Sequence, residues 1–404
     1  MIHKNIIGLD ISDTHIKVVQ LDEKKRVVSY GDFELPTEVV SEGLIVDCDA
    51  FIEKCIYILK HTKPIAVQGD FTKPHAIISL PEDKVWSHTM VVPDTIHPEA
   101  VGSYIQTEAA KLIPFDFATL YTSYALSTIR GSQYATFVGA QKEVVDQYRS
   151  CLSKVDIEID FIGSNFYSIA RSVLPESFGE DNYIIIDIGN RRTTIGAFDE
   201  NAIAYVALQN IVSKHEVDDA LATISVDGQE SDGTNINKVL SSIVDDVQHV
   251  IKDFTKQTGQ NLTKILVTGQ LANSSRFVTC LQKSVIPDVS LGNAYHRIQN
   301  TEIFGTGTTS VSFANVIGLA LYGIDRTMPH INLLSEEDSG AIRGRLSFNP
   351  TFLSFNVVKI TKNLLHRFMD EYMQKNSKGA LVGAVVFVLA MLFILGYVTK
   401  HYLL

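Results

Sequence analysis

Twice along the chain a run of apolar residues leads into an aspartate, breaks at a short polar turn and resumes as a second, β-rich run. The first is Ile6 to Leu21, IIGLDISDTHIKVVQL, with Asp10 at the mouth of the turn. The second is Tyr183 to Phe198, YIIIDIGNRRTTIGAF, with Asp187 in the same place. A continuous apolar run predicts a buried strand, and the run after a tight turn predicts its antiparallel return. Two copies this far apart predict an internally duplicated α/β fold, with a cleft between the copies and one carboxylate aimed into it from each.

The rest of the pattern fills in around those hairpins. Phe51, Cys55, Ile56 and Leu59 recur at helical spacing and predict a helix over Asp49–Lys60. Ala76–Leu80 and Trp86–Val92 read as strands, Pro98–Ile113 as a helix stopped by Pro114, Tyr121–Ile129 and Tyr134–Ala140 as two strands joined at Arg130-Gly131-Ser132, and Glu143–Leu152 as a closing helix. This ββαββα block predicts a small inserted subdomain at 75–155. A helix near Ser164–Leu174 leads back to the second hairpin, and a polar loop at 227–233 follows it. The strongest helical stripe is Asn235–Thr258, where Ile236, Val239, Leu240, Ile243, Val244, Val247, Val250, Ile251 and Phe254 share one face and Gly259 ends the run. Ile265–Thr268 then reads as a buried strand ending at Gly269, Thr301–Ser312 as a Gly/Thr/Ser-rich loop, and Phe313–Leu321 as an apolar helix.

The carboxyl end changes character. Gly379–Val398 carries no charge and is long enough as a helix to cross roughly 30 Å of hydrocarbon. Lys359, Lys362, Arg367, Lys375 and Lys378 precede it and Lys400 follows, so the positive-inside rule places the large domain in the cytoplasm and the tail outside a bacterial inner membrane. Between body and span, Phe352–Lys378 interleaves apolar and basic residues, as a surface-lying amphipathic helix or a partner-binding stalk would. The resulting division is lobe 1 at 1–74 and 156–180, the insert at 75–155, lobe 2 at 181–328, a juxtamembrane linker at 329–378, a span at 379–399 and a tail at 400–404. Gly379 and Gly383 are spaced as GxxxG, which suits close helix crossing in lipid and a homodimer.

Composition removes several function classes. A net charge of -11 argues against nucleic acid as a partner. Cys48, Cys55, Cys151 and Cys280 form no CxxC pair and read as reduced thiols packed as small hydrophobes. The histidines, His75, His88, His97 and His296 among them, show no ligand spacing and are assigned to surfaces and loops, so no metal site is expected. No GxSxG and no Walker A lysine motif occurs.

On residues alone, an acid at each of two facing turns and a glycine turn after a later strand is how a cleft can hold Mg²⁺ and a nucleotide. At this point the chain resembles the actin-like ATPase superfamily, and more narrowly the PilM and GspL family of type IV pilus and type II secretion machines. The resemblance covers about residues 1–325. It rests on Gly8-Leu-Asp-Ile-Ser12 with Ile16-Lys17, on Glu108-Ala-Ala-Lys-Leu-Ile-Pro-Phe115, on IDIG at 186–189, on LVTG at 266–269 and on IGLAL at 317–321. The Glu108–Phe115 element is the most specific, marking an inserted subdomain shared by PilM and FtsA and absent from actin. The single-pass anchor is closer to the bitopic component of bundle-forming pilus machines than to soluble PilM.

The resemblance implies an actin-like (ribonuclease H-like, duplicated) fold with an FtsA/PilM-type insert. It implies Asp10 and Lys17 in a first phosphate turn, Asp187, Gly189, Thr193 and Thr194 in a second, and Gly269 at an adenosine turn. The chain departs from that pattern. Ser12 takes a glycine position, Asp13 adds a like charge, Gln270 replaces a second glycine, and Ile211–His215 stands where PilM has a Gly-Gly pair. The expectation is therefore a vestigial cleft and no enzyme, with no cofactor bound; Mg-ATP is the ligand it would take if it kept one. Ile331-Asn332-Leu333-Leu334 matches the INLL peptide of PilN that PilM grips beside its insert, although the following Pro-Trp is missing. Fused in line, it would dock in cis or on a neighbouring copy. The function implied is an inner-membrane scaffold that recruits the hexameric assembly ATPase and links it to the polytopic platform protein and to other bitopic pilus components. A nucleotide switch in the same machine is the alternative, and a sugar-kinase-like enzyme is weaker because no catalytic base stands beside the phosphate turns.

Overall fold

A computed structural model describes residues 6–334, apart from 68–73, 130–131, 177–180, 190–192, 199–203, 211–233, 270–271, 273–274, 286, 305–309 and 325–330. The chain divides into two units, Met1–Arg345 and Leu346–Leu404. The second lies outside the described residues, and with it fall the predicted amphipathic stretch, the span, Gly379 and Gly383. Among the described residues no helix is long and apolar enough to cross a membrane.

The duplication is explicit in the strand order. In the first sheet β1 (Ile6–Ile11) pairs antiparallel with β2 (His15–Leu21), and β2 with β3 (Val27–Glu34). On its other side β1 runs parallel to β6 (His75–Leu80), and β6 to the edge strand β10 (Glu158–Ser164). In the second sheet β11 (Tyr183–Ile188) pairs antiparallel with β12 (Thr193–Phe198), and β12 with β13 (Ala204–Asn210). On the other side β11 runs parallel to β14 (Lys264–Gly269), and β14 to the edge strand β15 (Asp288–Leu291). Each sheet thus grows outward from one acid-bearing hairpin, and the buried runs Ile184–Ile186 and Ile265–Val267 are continuous because both faces of the sheet are covered.

Two helices lie between the sheets. α4 (Asn165–Val173) starts at Ser164, whose hydroxyl accepts from Phe166 N. It packs with the last described helix, Ala314–Tyr322, and the pair shares one apolar cluster with Val19 and Leu21 of β2 and with Ile185, Phe198 and Leu266 of the second sheet. Gly318 makes the helix contact close, because a Cβ there would stand 1.7 Å from the Ser168 carbonyl oxygen. Each large apolar side chain fully buried in this layer contributes on the order of 1.5–3 kcal/mol.

Outside the sheets, α1 (Cys48–His61) begins at Asp47, which accepts from Asp49 N and Ala50 N. It buries Phe51, Cys55 and Ile58, whereas Ile56, expected on that stripe, is exposed. The predicted Asn235–Thr258 helix is present as α5 (Thr234–Thr258), burying Ile243, Val247, Val250 and Phe254, and Gly259 ends it at φ +67°; α6 (Ser275–Ser284) follows β14.

The small subdomain is tighter than the block read from the sequence. β7 (Val85–Val92), β8 (Leu120–Ile129) and β9 (Ser132–Gln141) form a three-stranded antiparallel sheet, with α2 (Val101–Ala110) laid over Val92, Leu120, Tyr124, Ala135 and Phe137. The strand predicted at 76–80 belongs instead to the first sheet, between β1 and β10, where all five of those residues are buried. The helix at α3 (Lys142–Ser153) likewise turns Val144, Val145, Tyr148, Cys151 and Leu152 into the core that β1 and α1 share. The expectation of reduced cysteines is also corrected. Cys48 at the start of α1 and Cys151 on α3 form a disulfide, with Cα atoms 5.9 Å apart, because those two helices pack together across 103 residues of sequence. Cys55 remains a free buried thiol, and burial pushes its pKa up to about 12.

Candidate functional site

The hairpin register sets the geometry of the cleft. Asp10 pairs with Lys17 across β1 and β2, and Asp187 pairs with Thr194 across β11 and β12, so in each copy the acid stands one residue from the turn. Burial holds the pKa values of both carboxylates above the ordinary range. Asp187 is pushed to about 6, with a hydrogen bond from Thr268 opposing the rise and the charge of Asp10 adding to it. Asp10 is raised in the same direction, opposed by Lys17 and Asn315.

What those groups touch is internal. The helix Ala314–Tyr322, here α7, presents Asn315 at its first turn, whose Nδ2 donates to Asp10 Oδ1 at 2.8 Å and to Ser79 Oγ at 3.1 Å. Just before that helix, the Ser312 carbonyl accepts from Lys17 Nζ at 2.8 Å, and the ammonium lies 5.7 Å from the centre of the Phe313 ring. In the first turn, Ser12 Oγ donates to the His15 carbonyl and accepts from His15 N. Asp13 does not crowd the cleft as a like charge. Its carboxylate accepts from Glu42 N and Gly43 N, at the turn of a hairpin formed by β4 (Val40–Ser41) and β5 (Leu44–Ile45).

In the second copy Thr193 and Thr194 are buried residues of β12 rather than members of the turn. Gly189 directly follows β11, and 190–192 lie outside the described residues. Gly269 ends β14 at φ +85°, where a Cβ would stand 2.4 Å from the Ile188 carbonyl oxygen. The expected glycine is there because two strand ends converge on it.

Sequence reasoning missed Asn315, Thr268 and Glu82. Glu82 lies just after β6, nearly fully buried, and accepts from the Ser164 hydroxyl and from Phe166 N at 3.2 Å, at the start of α4. Burial pushes it to about 7, and the negative charge of Asp187 adds to the rise. A polar residue inside an otherwise apolar strand or helix, as at Thr268 and Asn315, was the signal available. His75, assigned to surfaces, instead opens β6 with Nδ1 2.7 Å from Asp160 Oδ1 of β10.

The remaining predicted element is at the edge of the first sheet. Ile331 and Leu333 are buried in the core cluster that α3 also lines, and Leu333 N donates to the Ile162 carbonyl of β10 at 2.8 Å. Asn332 Oδ1 accepts from Ile162 N at 3.1 Å, and Asn332 Nδ2 donates to the Asp160 carbonyl at 3.2 Å. The strap docks on its own chain.

Two sheets of matching order, each with an acid at the mouth of its central hairpin and with paired helices between them, define the actin-like class. The family model "Type IV pilus assembly protein PilM" matches residues 8–321, and the chain belongs to that family. Among solved structures the PilM–PilN type IV pilus biogenesis complex matches with a TM-score of 0.64 at 14% identity, over 80% of this chain and 99% of that one. The cytoplasmic domain of EpsL, an inner-membrane component of the type II secretion system of Vibrio cholerae, matches with a TM-score of 0.42 at 10% identity, over 83% and 100%. MreB5 of Spiroplasma citri bound to AMPPNP gives 0.43 at 9%, over 79% and 96%. No curated protein matches by sequence.

Proposed function

We propose that this chain is a scaffold of a type IV pilus or type II secretion assembly platform, with its cleft kept closed by its own side chains. One observation carries the reading: α7 and the turn just before it engage both the acid and the base of the first phosphate turn, Asp10 through Asn315 and Lys17 through the Ser312 carbonyl. A lysine turned onto a backbone carbonyl and an aspartate bonded to a carboxamide leave a phosphate or a hydrated cation to displace both. The groups present therefore do not fit a nucleotide as they stand. Family membership and the fold shared with a PilM–PilN complex support a place in the assembly machinery.

In this reading the body sits at the cytoplasmic face of the inner membrane, held by the apolar run 379–398. There it recruits the hexameric assembly ATPase and joins it to the polytopic platform protein and to other bitopic components. A fused anchor serves that role physically, since tethering replaces a second binding event with a high effective concentration.

A nucleotide switch would behave differently. MgATP at about 100 times its dissociation constant stabilises a binding protein by roughly 2.7 kcal/mol. The expected result for the full-length chain is an unmoved melting temperature, together with normal pilus assembly or secretion by Asp10→Ala combined with Asp187→Ala. A MgATP-dependent rise that the double variant abolishes, with assembly lost alongside it, would reject the scaffold reading.

A further inference from the structure

α3 is the direct continuation of β9, the middle strand of the small sheet: Gln141 ends the strand and Lys142 begins the helix. The helix carries that sheet back into lobe 1, and near its end Cys151 is joined to Cys48 at the start of α1. The 103 positions that the bond spans include β6 and all three strands of the small sheet. Breaking it therefore removes a covalent cross-link between lobe 1 and the base of the insert.

The fold does not need that bond to seat α3. Val145, Tyr148 and Leu152 are fully buried in the lobe 1 core, and the Tyr148 hydroxyl donates to the Gly43 carbonyl at 3.0 Å. Gln147 Oε1 accepts from Ile45 N at 3.1 Å while its Nε2 donates to the Ile45 carbonyl at 2.7 Å. When the sulfurs part, the helix stays in place with less to resist its opening. The two sulfurs are also unequal. Cys48 is half-buried and Cys151 is 4% exposed, so an incoming thiolate reaches Cys48 first. Asp47 occupies the free amides of Asp49 and Ala50, and the stabiliser of a thiolate at Cys48 is the Lys154 ammonium, 3.9 Å from its Sγ. Cys55, two turns along α1, is 2% exposed with its thiol pushed up to about 12, which keeps it out of exchange.

We propose that Cys48–Cys151 is a redox centre, opened by a dithiol reductant and closed by a small disulfide, that loosens or locks the small subdomain on lobe 1. In opening, one thiolate of the reductant attacks Cys48 Sγ, forming a mixed disulfide and releasing Cys151 as a thiolate that takes up a proton. The second thiolate attacks the reductant's own sulfur in that mixed disulfide and releases Cys48 beside Lys154. Two electrons pass to the pair, and the reductant leaves as a disulfide; closing runs by the reverse exchange. The inference rests on the cytoplasmic placement of the body given under Proposed function, because a disulfide in the reducing cytosol is characteristically transient and redox-sensing.

Differential alkylation tests it. Cells making the full-length chain are quenched in acid, free thiols are capped with light N-ethylmaleimide, and disulfides are then reduced and capped with the heavy reagent. The peptides of Cys48 and Cys151 are expected to carry mostly the light label in growing cells, the heavy label after diamide, and the light label again on recovery. In the purified full-length chain, thioredoxin with its reductase and NADPH should open the pair. Amide exchange in α3 and β9 should then rise by roughly tenfold or more, as it should in Cys48→Ser without reductant, while β11 stays unmoved. A heavy label under every condition, a light one even after diamide, or exchange that ignores reduction would overturn the switch. Protease added to intact spheroplasts reads the placement separately. Digestion of the body would reject the cytoplasmic placement and the switch with it, whereas a protected body whose pair never opens would overturn the switch alone.

Discussion

The two lobes repeat one strand order and treat its outer edge in opposite ways. In lobe 1 the edge strand β10 has seven residues, and the strap buries Ile331 and Leu333 against it. In lobe 2 the corresponding strand β15 has four, with a burial pattern of one buried position among exposed ones and Leu291 47% exposed at its end. A strand of four residues discourages pairing by its shortness, whereas one of seven, buried along its second half, is covered there by the strap. The difference teaches that the strap is structural to lobe 1 and not a loose tail. The acids differ in the same spirit: Asp10 faces a lysine and a carboxamide, Asp187 faces threonines.

The largest break in this comparison should come from Leu333→Ala. Truncating a fully buried leucine leaves a cavity and should cost about 2–5 kcal/mol in denaturant unfolding, with amide exchange rising first along β10. An effect of the size seen at an exposed site would mean that the edge is uncovered in solution.

Glu82→Gln should move stability in the favourable direction. The folded carboxyl titrates near 7, above its ordinary 4.5, so the folded state binds the proton more tightly. The stability this confers is complete below pH 4.5 and is lost as pH rises through about 7. A glutamine can still accept from Ser164 and Phe166 without ionising. It should therefore gain up to about 3 kcal/mol over the wild type at pH 8, and little at pH 4. A wild-type stability curve flat between those limits would show that Glu82 stays charged and satisfied.

Leu291→Ala on the lobe 2 edge should be the smallest change, within about 0.5 kcal/mol, since the side chain is already half in water. Set beside Leu333→Ala, it turns the contrast between the edges into a measured ratio.

Both hairpins, the long helix at Thr234–Thr258 and the carboxylates at Asp10 and Asp187 were legible because each rests on local periodicity or on a turn at fixed offset. The insert boundary was not. β6 and β7 are adjacent apolar strands joined by a short turn, and nothing local says that one pairs with β1 and the other with β9. The disulfide was hidden for the same reason, since Cys48 and Cys151 meet only when α1 and α3 pack. Asn315, Thr268 and Glu82 sit inside runs whose period speaks for burial, and burial does not name a polar partner.

By itself, then, the sequence determined that the chain is duplicated and that each copy carries an acid at its turn, because strand period and turn chemistry act over a few residues. Tertiary structure alone decided what those acids meet, which strand became an edge and where 331–334 came to rest. Asn315 reaches Asp10 across 305 positions and Asn332 reaches Ile162 across 170, and contacts of that span exist only once the sheets and helices have closed around them.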